Sequence, residues 1–242
     1  MDLSTLSYIY IFLAALLVGF TKTSVGGVGI LAILLMALAI PGKASPGVLL
    51  PMLIVADIFA VIYYRRHCNW SILLKLFPLT AVGVVIGYFS VGAVPAEIFE
   101  KVIGATILFM LGFEILVPKS EERSTHPLLT GFVGMFAGIA TMIANAAGPI
   151  FGVYLLQMRL PKNEFVGTRS WFFLIVNIFK IPFSANLGLI TLDTLKLNVM
   201  FVPVIFLGAY LGYKVLGMLN MAAFKWLIRA AVLIASAQLL LF

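Results

Sequence analysis

The sequence has little charge, two histidines and a single cysteine. Only 10% of its 242 residues are Asp, Glu, Lys or Arg, and 63% are hydrophobic, whereas soluble domains carry about 25% charged and about 45–50% apolar residues. A soluble globule of this length cannot bury so much apolar surface. This composition argues against a soluble enzyme, a nucleic-acid-binding protein and a disordered tail, and it predicts a polytopic membrane protein.

The residues that support catalysis or metal binding are also scarce. The lone Cys68 leaves no internal disulfide and no cysteine metal cage. His67 and His126 lie far apart in polar connections, without the spacing of metal ligands. No histidine base lies in an apolar segment, and Asp57 is the one deep aspartate, so an intramembrane protease lacks its catalytic set. We therefore expect no catalytic residue, no metal and no cofactor.

Ten apolar stretches approach the length of about 20 residues that a helix needs to cross a bilayer. They lie near 5–20, 25–40, 46–64, 72–92, 97–117, 128–143, 147–160, 165–184, 194–217 and 222–242. The predicted fold class is therefore an all-α membrane protein with 8–10 helices. A polar connection at 118–127 separates two halves of five segments each, 1–117 and 128–242.

The two halves resemble each other in the order of their residues. Positions of the first half recur about 120 and then about 125 residues later, as in the pairs Thr21 and Thr141, Asp57 and Asn177, Pro78 and Pro203, and Gly83 and Gly208. Because each half has an odd number of crossings, the second half enters from the opposite side, which predicts an inverted repeat. The first two segments of each half are short and broken, and we expect them to form re-entrant hairpins or short crossings.

Basic residues are distributed unequally between the two sides that these crossings define. One side receives Arg65, Arg66, Lys75, Lys119, Arg123, Arg159, Lys162, Arg169, Lys214 and Lys225. The other side receives mainly Lys43, Lys101 and Lys196. By the positive-inside rule the first side is cytoplasmic, so both termini are predicted outside the cytoplasm.

The most informative interruption is GFTKTSVGGVGI at 19–30, with a weaker counterpart, GIATMIANAAGPI, at 138–150. Paired interruptions of short apolar segments point to the substrate site of a transporter. Hydroxyls, a lysine and the amides of helix N-termini would suit an anion. The candidate ligands are Thr21, Lys22, Thr23, Ser24, Gly26, Gly27, Thr141 and Asn145. The alternative is close helix packing by small residues, with Lys22 extended to an interface.

Four further polar residues lie within apolar segments. Asp57 is either a carrier of a coupled proton or a static partner of a lysine or arginine. Arg169, Asn177 and Lys180 lie within a narrow arc of one helix, and Asn177 and Lys180, three residues apart, share a face that could hold an anion. Alternatively, Lys180 lies near the outer end and extends to the interface. We interpret Arg169, at the cytoplasmic end of the same segment, as a topology anchor.

The stretch GFTKTSVGGVGI followed by Pro41, the aspartate Asp57, and the pair Pro161 and Gly167 resemble the sulfite exporter TauE/SafE family, also called the 4-toluene sulfonate uptake permeases. The resemblance covers nearly the whole chain. It implies a multi-pass carrier of the cell (inner) membrane that moves sulfite, sulfonates or sulfoacetate. It also implies that the broken stretches at 20–29 and 141–149 form the substrate site.

The sequence thus predicts a secondary transporter, most simply an exporter, in which the halves rock around a bound anion in alternating access. An anion channel, or a carrier of a different small organic or inorganic anion, is the alternative. The expected partners are a small sulfur oxyanion and the lipid bilayer, without nucleic acid, and a homodimer is compatible with the sequence.

Overall fold

A computed structural model describes residues 3–24, 29–116 and 127–215, together with Trp226, Ala230, Leu233 and Leu240. Within these ranges the chain is helical and contains no strand. The helices are α1 (Thr5–Thr23), α2 (Gly29–Ala39), α3 (Ala44–Tyr64), α4 (Trp70–Ala93), α5 (Ala96–Leu116), α6 (Pro127–Ala144), α7 (Gly148–Gln157), α8 (Lys162–Asn186) and α9 (Leu192–Val215). The predicted all-α fold is therefore confirmed, whereas most of the last predicted segment, at 222–242, lies outside the described residues.

Four helices are long and apolar enough to cross a membrane, by length and composition: α1, α3, α4 and most of α9. By contrast, α2 has 11 residues and α7 has 10, which at 1.5 Å per residue is only about 15–16 Å of the roughly 30 Å hydrocarbon core. The described chain thus combines helices long enough to cross a membrane with two helices, α2 and α7, that are too short to cross.

The expectation that the first segment is short is wrong for the first half, because α1 has 19 residues and is long and apolar enough to cross a membrane. In the second half α6 has 18 residues and is not among the four helices that meet that criterion. The polar residues Thr21, Lys22 and Thr23 continue α1 instead of interrupting it. The Thr21 hydroxyl donates to the carbonyl of Val18 at 3.2 Å, so it bonds within its own helix. Polar side chains that are satisfied in this way do not force a helix to end.

The connections define two ends of the bundle. The end that we call end A holds residues 65–69, between α3 and α4, and residues 158–161, between α7 and α8; Asn69 donates to Glu164 there at 2.6 Å. End B holds residues 40–43, 94–95 and 187–191. At end B the ammonium of Lys43 donates to the carbonyl of Val91 at 2.7 Å. Helices α3 to α5, α8 and α9 run between these two ends.

Each short helix returns the chain to the end from which the helix before it started. Gly208 of α9 packs on Leu16 of α1, and Gly212 packs on Phe20, so α1 runs parallel to α9 and starts at end B. The connection after α2 also lies at end B. In the same way α6 runs parallel to α4 from end A, and α7 leads back to α8 at end A. The α1–α2 and α6–α7 hairpins therefore enter the bundle from opposite ends.

Close backbone contacts hold α1 against α9 and α4 against α6. A Cβ atom at Gly19 would collide with the backbone of Ile205, and one at Gly138 would collide with the backbone of Thr80. Such approaches are possible only where the residue lacks a side chain. Glycine at these positions therefore determines how near the paired helices lie.

Candidate functional site

A buried ion pair joins the end of α1 to α3. The Lys22 ammonium lies 2.5 Å from Oδ1 of Asp57, and the two side chains are 8% and 0% exposed. Asn177 of α8 donates its side-chain amide to Oδ2 of Asp57 at 2.8 Å. The Lys22 nitrogen also lies 4.5 Å from the centre of the Phe173 ring, which is close enough for a cation–π interaction. The alternative in which Lys22 extends to an interface is wrong, and Asp57 does have a cationic partner.

A second cation lies at the same end of α1. Arg169, near the beginning of α8, donates from Nη2 to the carbonyl oxygen of Thr21 at 2.9 Å. The last carbonyls of a helix lack partners within the helix, and the negative end of its dipole attracts cations. The charge of Arg169 also acts on Lys22 and Asp57. Arg169 thus contacts α1, while its interpretation as a topology anchor stays a prediction.

A third cation lies at the corresponding end of α6. The Lys180 ammonium donates to the carbonyl oxygen of Thr141 at 2.7 Å, to its hydroxyl at 3.1 Å and to Oδ1 of Asn145 at 2.5 Å. The side chain is only 1% exposed, so the alternative in which Lys180 extends to the interface is wrong. The C-terminal ends of α1 and α6 are thus each contacted by a cation from α8.

Asn145 shapes the end of α6 as well as contacting Lys180. Its φ is +56°, a left-handed conformation that asparagine tolerates better than most residues. Its Nδ2 donates to the carbonyl oxygen of Pro46 in α3 at 3.0 Å. One side chain therefore holds α6, α8 and α3 together at the break before α7.

The other candidate ligands from the first interruption differ in the contacts that they make. Thr21 contributes its backbone carbonyl to Arg169, and Thr23 donates its hydroxyl to the carbonyl of Ala209 at 2.8 Å. The hydroxyl of Ser24 is buried and has no partner among the residues that the structure describes. Gly26 and Gly27 lie outside the described residues.

The structure thus brings side chains of α1, α3, α6 and α8, and of the residue that follows α6, into one group, which we call the polar cluster. Its members are Lys22, Asp57, Thr141, Asn145, Arg169, Asn177 and Lys180. The charge of Lys180 interacts with those of Lys22 and Asp57, so the parts of the cluster are electrostatically connected. Polar and ionisable groups are costly at membrane depth and commonly mark a substrate or ion pathway.

One known protein family matches nearly the whole chain. The family model described as sulfite exporter TauE/SafE matches residues 11–239, a range that contains every member of the polar cluster. The chain belongs to the sulfite exporter TauE/SafE family. Comparison with curated proteins and with solved structures gives no significant match.

The TauE/SafE family consists of transporters, not of enzymes, so this chain is a membrane transport protein, as the sequence predicts. Membership implies an anion exporter activity related to sulfite. The polar cluster of this TauE/SafE protein contains the hydrogen-bond donors and cations that an anion requires.

Two residues of this TauE/SafE protein, one in the polar cluster and one beside it, are not identified as site residues by their position in an apolar segment. Arg169 was assigned to topology, although it lies eleven residues before Lys180 in the same helix, which places both on one face after about three turns. Phe173, which contacts the Lys22 ammonium, has nothing in its sequence context that separates it from other core aromatics. Helical phase already predicts that Arg169 lies on the side of the helix that carries Lys180, whereas the sequence gives no such signal for Phe173.

Proposed function

We propose that this protein is a secondary transporter that exports small sulfur-containing anions across the cell (inner) membrane by alternating access. The observation that carries the proposal is the polar cluster, in which Lys22 pairs with Asp57 near the end of α1, Arg169 contacts that same end, and Lys180 contacts the end of α6. Export follows the inside-negative membrane potential, which contributes about 2.3 kcal/mol per charge per 100 mV.

We place the proposed substrate site in the polar cluster, where the ends of α1 and α6 meet α8. Lys22 and Lys180 supply charge, and Asn177, Asn145 and the hydroxyl of Thr141 supply neutral hydrogen-bonding groups. The buried hydroxyl of Ser24 adds a donor near the end of α1. Thr21, Thr23, Gly26 and Gly27 belong to the same proposed substrate site.

The inverted repeat belongs to the same proposal, and the helix contacts support it. Gly138 follows Gly19 by 119 positions, and their backbone contacts in α4 and α9, at Thr80 and Ile205, are 125 positions apart. A contact between α1 and α9 therefore has its counterpart between α6 and α4. Opposed hairpins are expected of an inverted repeat, in which the substrate lies near the repeat interface.

Asp57 is proposed as the residue that couples transport to protons. Its carboxylate already binds Lys22 and Asn177, so an arriving anion competes with it for the Lys22 ammonium. A proton on Asp57 would release that ammonium to the anion. The alternative is that Asp57 serves as a permanent structural partner of Lys22.

Flux into or out of proteoliposomes tests this function. We expect saturable movement of labelled sulfite or a sulfonate, and we expect Lys22→Gln to abolish it while the exposed Lys101→Gln, which removes the same charge, leaves it intact. Absence of flux with every sulfur oxyanion would reject the substrate class and favour a carrier of a different small anion. Flux without saturation, with unitary currents, would identify an anion channel.

An imposed pH gradient tests the role of Asp57 separately. Transport by the wild type should respond to the gradient, and transport by a folded Asp57→Asn variant should not. If that variant moves the anion normally and still responds to the gradient, Asp57 has no part in coupling.

The proposed orientation places end A in the cytoplasm and both termini outside. The connections at end A carry Arg65, Arg66 and Arg159, whereas Lys43 lies at end B, in keeping with the positive-inside rule. The proposed partners are the anion and the surrounding lipid, without nucleic acid, and cross-linking in membranes would detect a homodimer.

A further inference from the structure

The polar cluster carries more positive than negative charge. Lys22, Arg169 and Lys180 contribute three cations, and Asp57 contributes one carboxylate. The other acidic side chains that the structure describes are engaged elsewhere or lie near helix ends: Glu97, Glu100, Glu164 and Asp193. Within the described part of the chain, two positive charges of the cluster therefore have no matching carboxylate.

The two unmatched charges are those of α8. All three acceptors of Lys180 are neutral, since they are a carbonyl, a hydroxyl and an amide oxygen. Arg169 likewise donates to a neutral carbonyl. Hydrogen bonds of this kind hold a cation in place without neutralising it, and uncompensated charge inside a membrane protein is unfavourable.

Helical geometry directs both charges to one side of α8. Arg169 and Lys180 are eleven residues apart, which is about three turns of an α-helix, and Asn177 lies between them on the adjoining surface. Asn177 reaches Asp57 with its amide nitrogen, while its oxygen has no partner among the described residues. This surface of α8 therefore presents charge toward α1, α3 and α6 together.

We propose that the anion accepted at this site carries two negative charges, and that Arg169 and Lys180 are the residues that select for the second charge. The inference rests on the proposed function and narrows its substrate class. It favours dianionic sulfur oxyanions, or small molecules with two anionic groups, over sulfonates with a single charge. While Asp57 is ionised, a dianion would neutralise the cluster, whereas a monoanion would leave one cation unmatched.

Two anions of similar shape separate charge from size. Sulfate and methanesulfonate share a tetrahedral sulfur centre and differ by one oxygen in place of a methyl group, so they differ by one charge. Calorimetric titration of the purified protein in detergent, with thiosulfate and sulfoacetate as further dianions, should show the tightest dianion binding at least about tenfold more strongly than methanesulfonate. Methanesulfonate binding as tightly as every dianion would overturn this inference and leave the proposed function standing. Failure of all four anions and of sulfite to bind or to move would overturn both.

Variants of the two α8 cations test which residues create the preference. Lys180→Gln and Arg169→Gln each remove the charge and retain an N–H donor on a shorter side chain. Each should lower the ratio of dianion to monoanion affinity by about tenfold or more, because close charge pairs in desolvated sites contribute at least that much. Lys101→Gln, at an exposed position of α5, should leave the ratio unchanged. An unaltered ratio in whichever α8 variant folds would remove that residue from the selection.

Discussion

The ion pair between Lys22 and Asp57 allows a quantitative test of how this bundle holds charge. Both side chains are almost fully enclosed, at 8% and 0% exposure. Removing one partner of a buried pair leaves an uncompensated charge, which costs about 3–5 kcal/mol of the free energy of unfolding. We expect a loss of that order for Lys22→Met and a similar loss for Asp57→Asn.

The double variant should behave differently from the sum of the two single variants. With both charges gone, residue 57 would be an asparagine facing Asn177, and two amides can pair with each other where a carboxylate and an amide now do. Replacing a buried pair by neutral groups of similar volume is often nearly neutral for stability. We therefore expect the double variant to lie within about 1–2 kcal/mol of the wild type, giving a coupling energy of at least about 3 kcal/mol.

Unfolding in mixed micelles by increasing the fraction of denaturing detergent, followed by circular dichroism, would measure the four free energies. Additive losses, each below about 1 kcal/mol, would refute the reasoning, since exposed pairs contribute only that much. Such a result would mean that water reaches the pair.

Three further predictions concern positions outside this pair. Gly138→Leu should separate α4 from α6 and cost about 1–3 kcal/mol or more in the same unfolding assay, whereas Gly112→Ala, where no atom lies within 4 Å of the added Cβ, should be neutral or slightly stabilising. Asn145→Ala should cost more than Asn145→Gly by about 1 kcal/mol, since only glycine relieves the positive φ; equal losses would assign the whole effect to the side-chain contacts. Burial and nearby Glu164 raise the pKa of Cys68 to about 11, so its maleimide labelling should be slow at pH 7 and rise about tenfold per pH unit as the thiolate forms; a plateau by pH 9 would contradict that environment.

The periodicity of the sequence was sufficient to predict most of the fold. The long apolar runs predict the positions of α3, α4, α5, α8 and α9 to within a few residues. The runs near 5–20 and 128–143 also lie close to α1 and α6, but α1 continues through Thr21, Lys22 and Thr23, which the sequence predicts to interrupt it. Hydropathy registers the polarity of Lys22, but it does not register a carboxylate 35 positions later that pairs with it.

The candidate site was predicted in its residues but not in its contacts. The sequence indicated Lys22, Asp57, Asn177 and Lys180 because polar groups are costly in apolar segments. It left open whether the two lysines reached an interface, since a long side chain can extend along a helix in either direction. Partners on other helices decide this for both lysines, and Arg169 likewise contacts another helix, at the carbonyl of Thr21.

The close backbone contacts at glycine, between α1 and α9 and between α4 and α6, limit how the helices can move. Helix α1 comes from residues 1–117 and is fastened to α9, which comes from residues 128–242; α4 and α6 are fastened in the same crosswise manner. The two sequence halves are therefore in contact through both helix pairs, and a rigid-body movement of one half against the other would break both sets of contacts. If transport follows the alternating access proposed above, we expect each moving body to contain helices from both halves, with the contact of α3 and α8 at Asp57 and Asn177 lying between the two pairs.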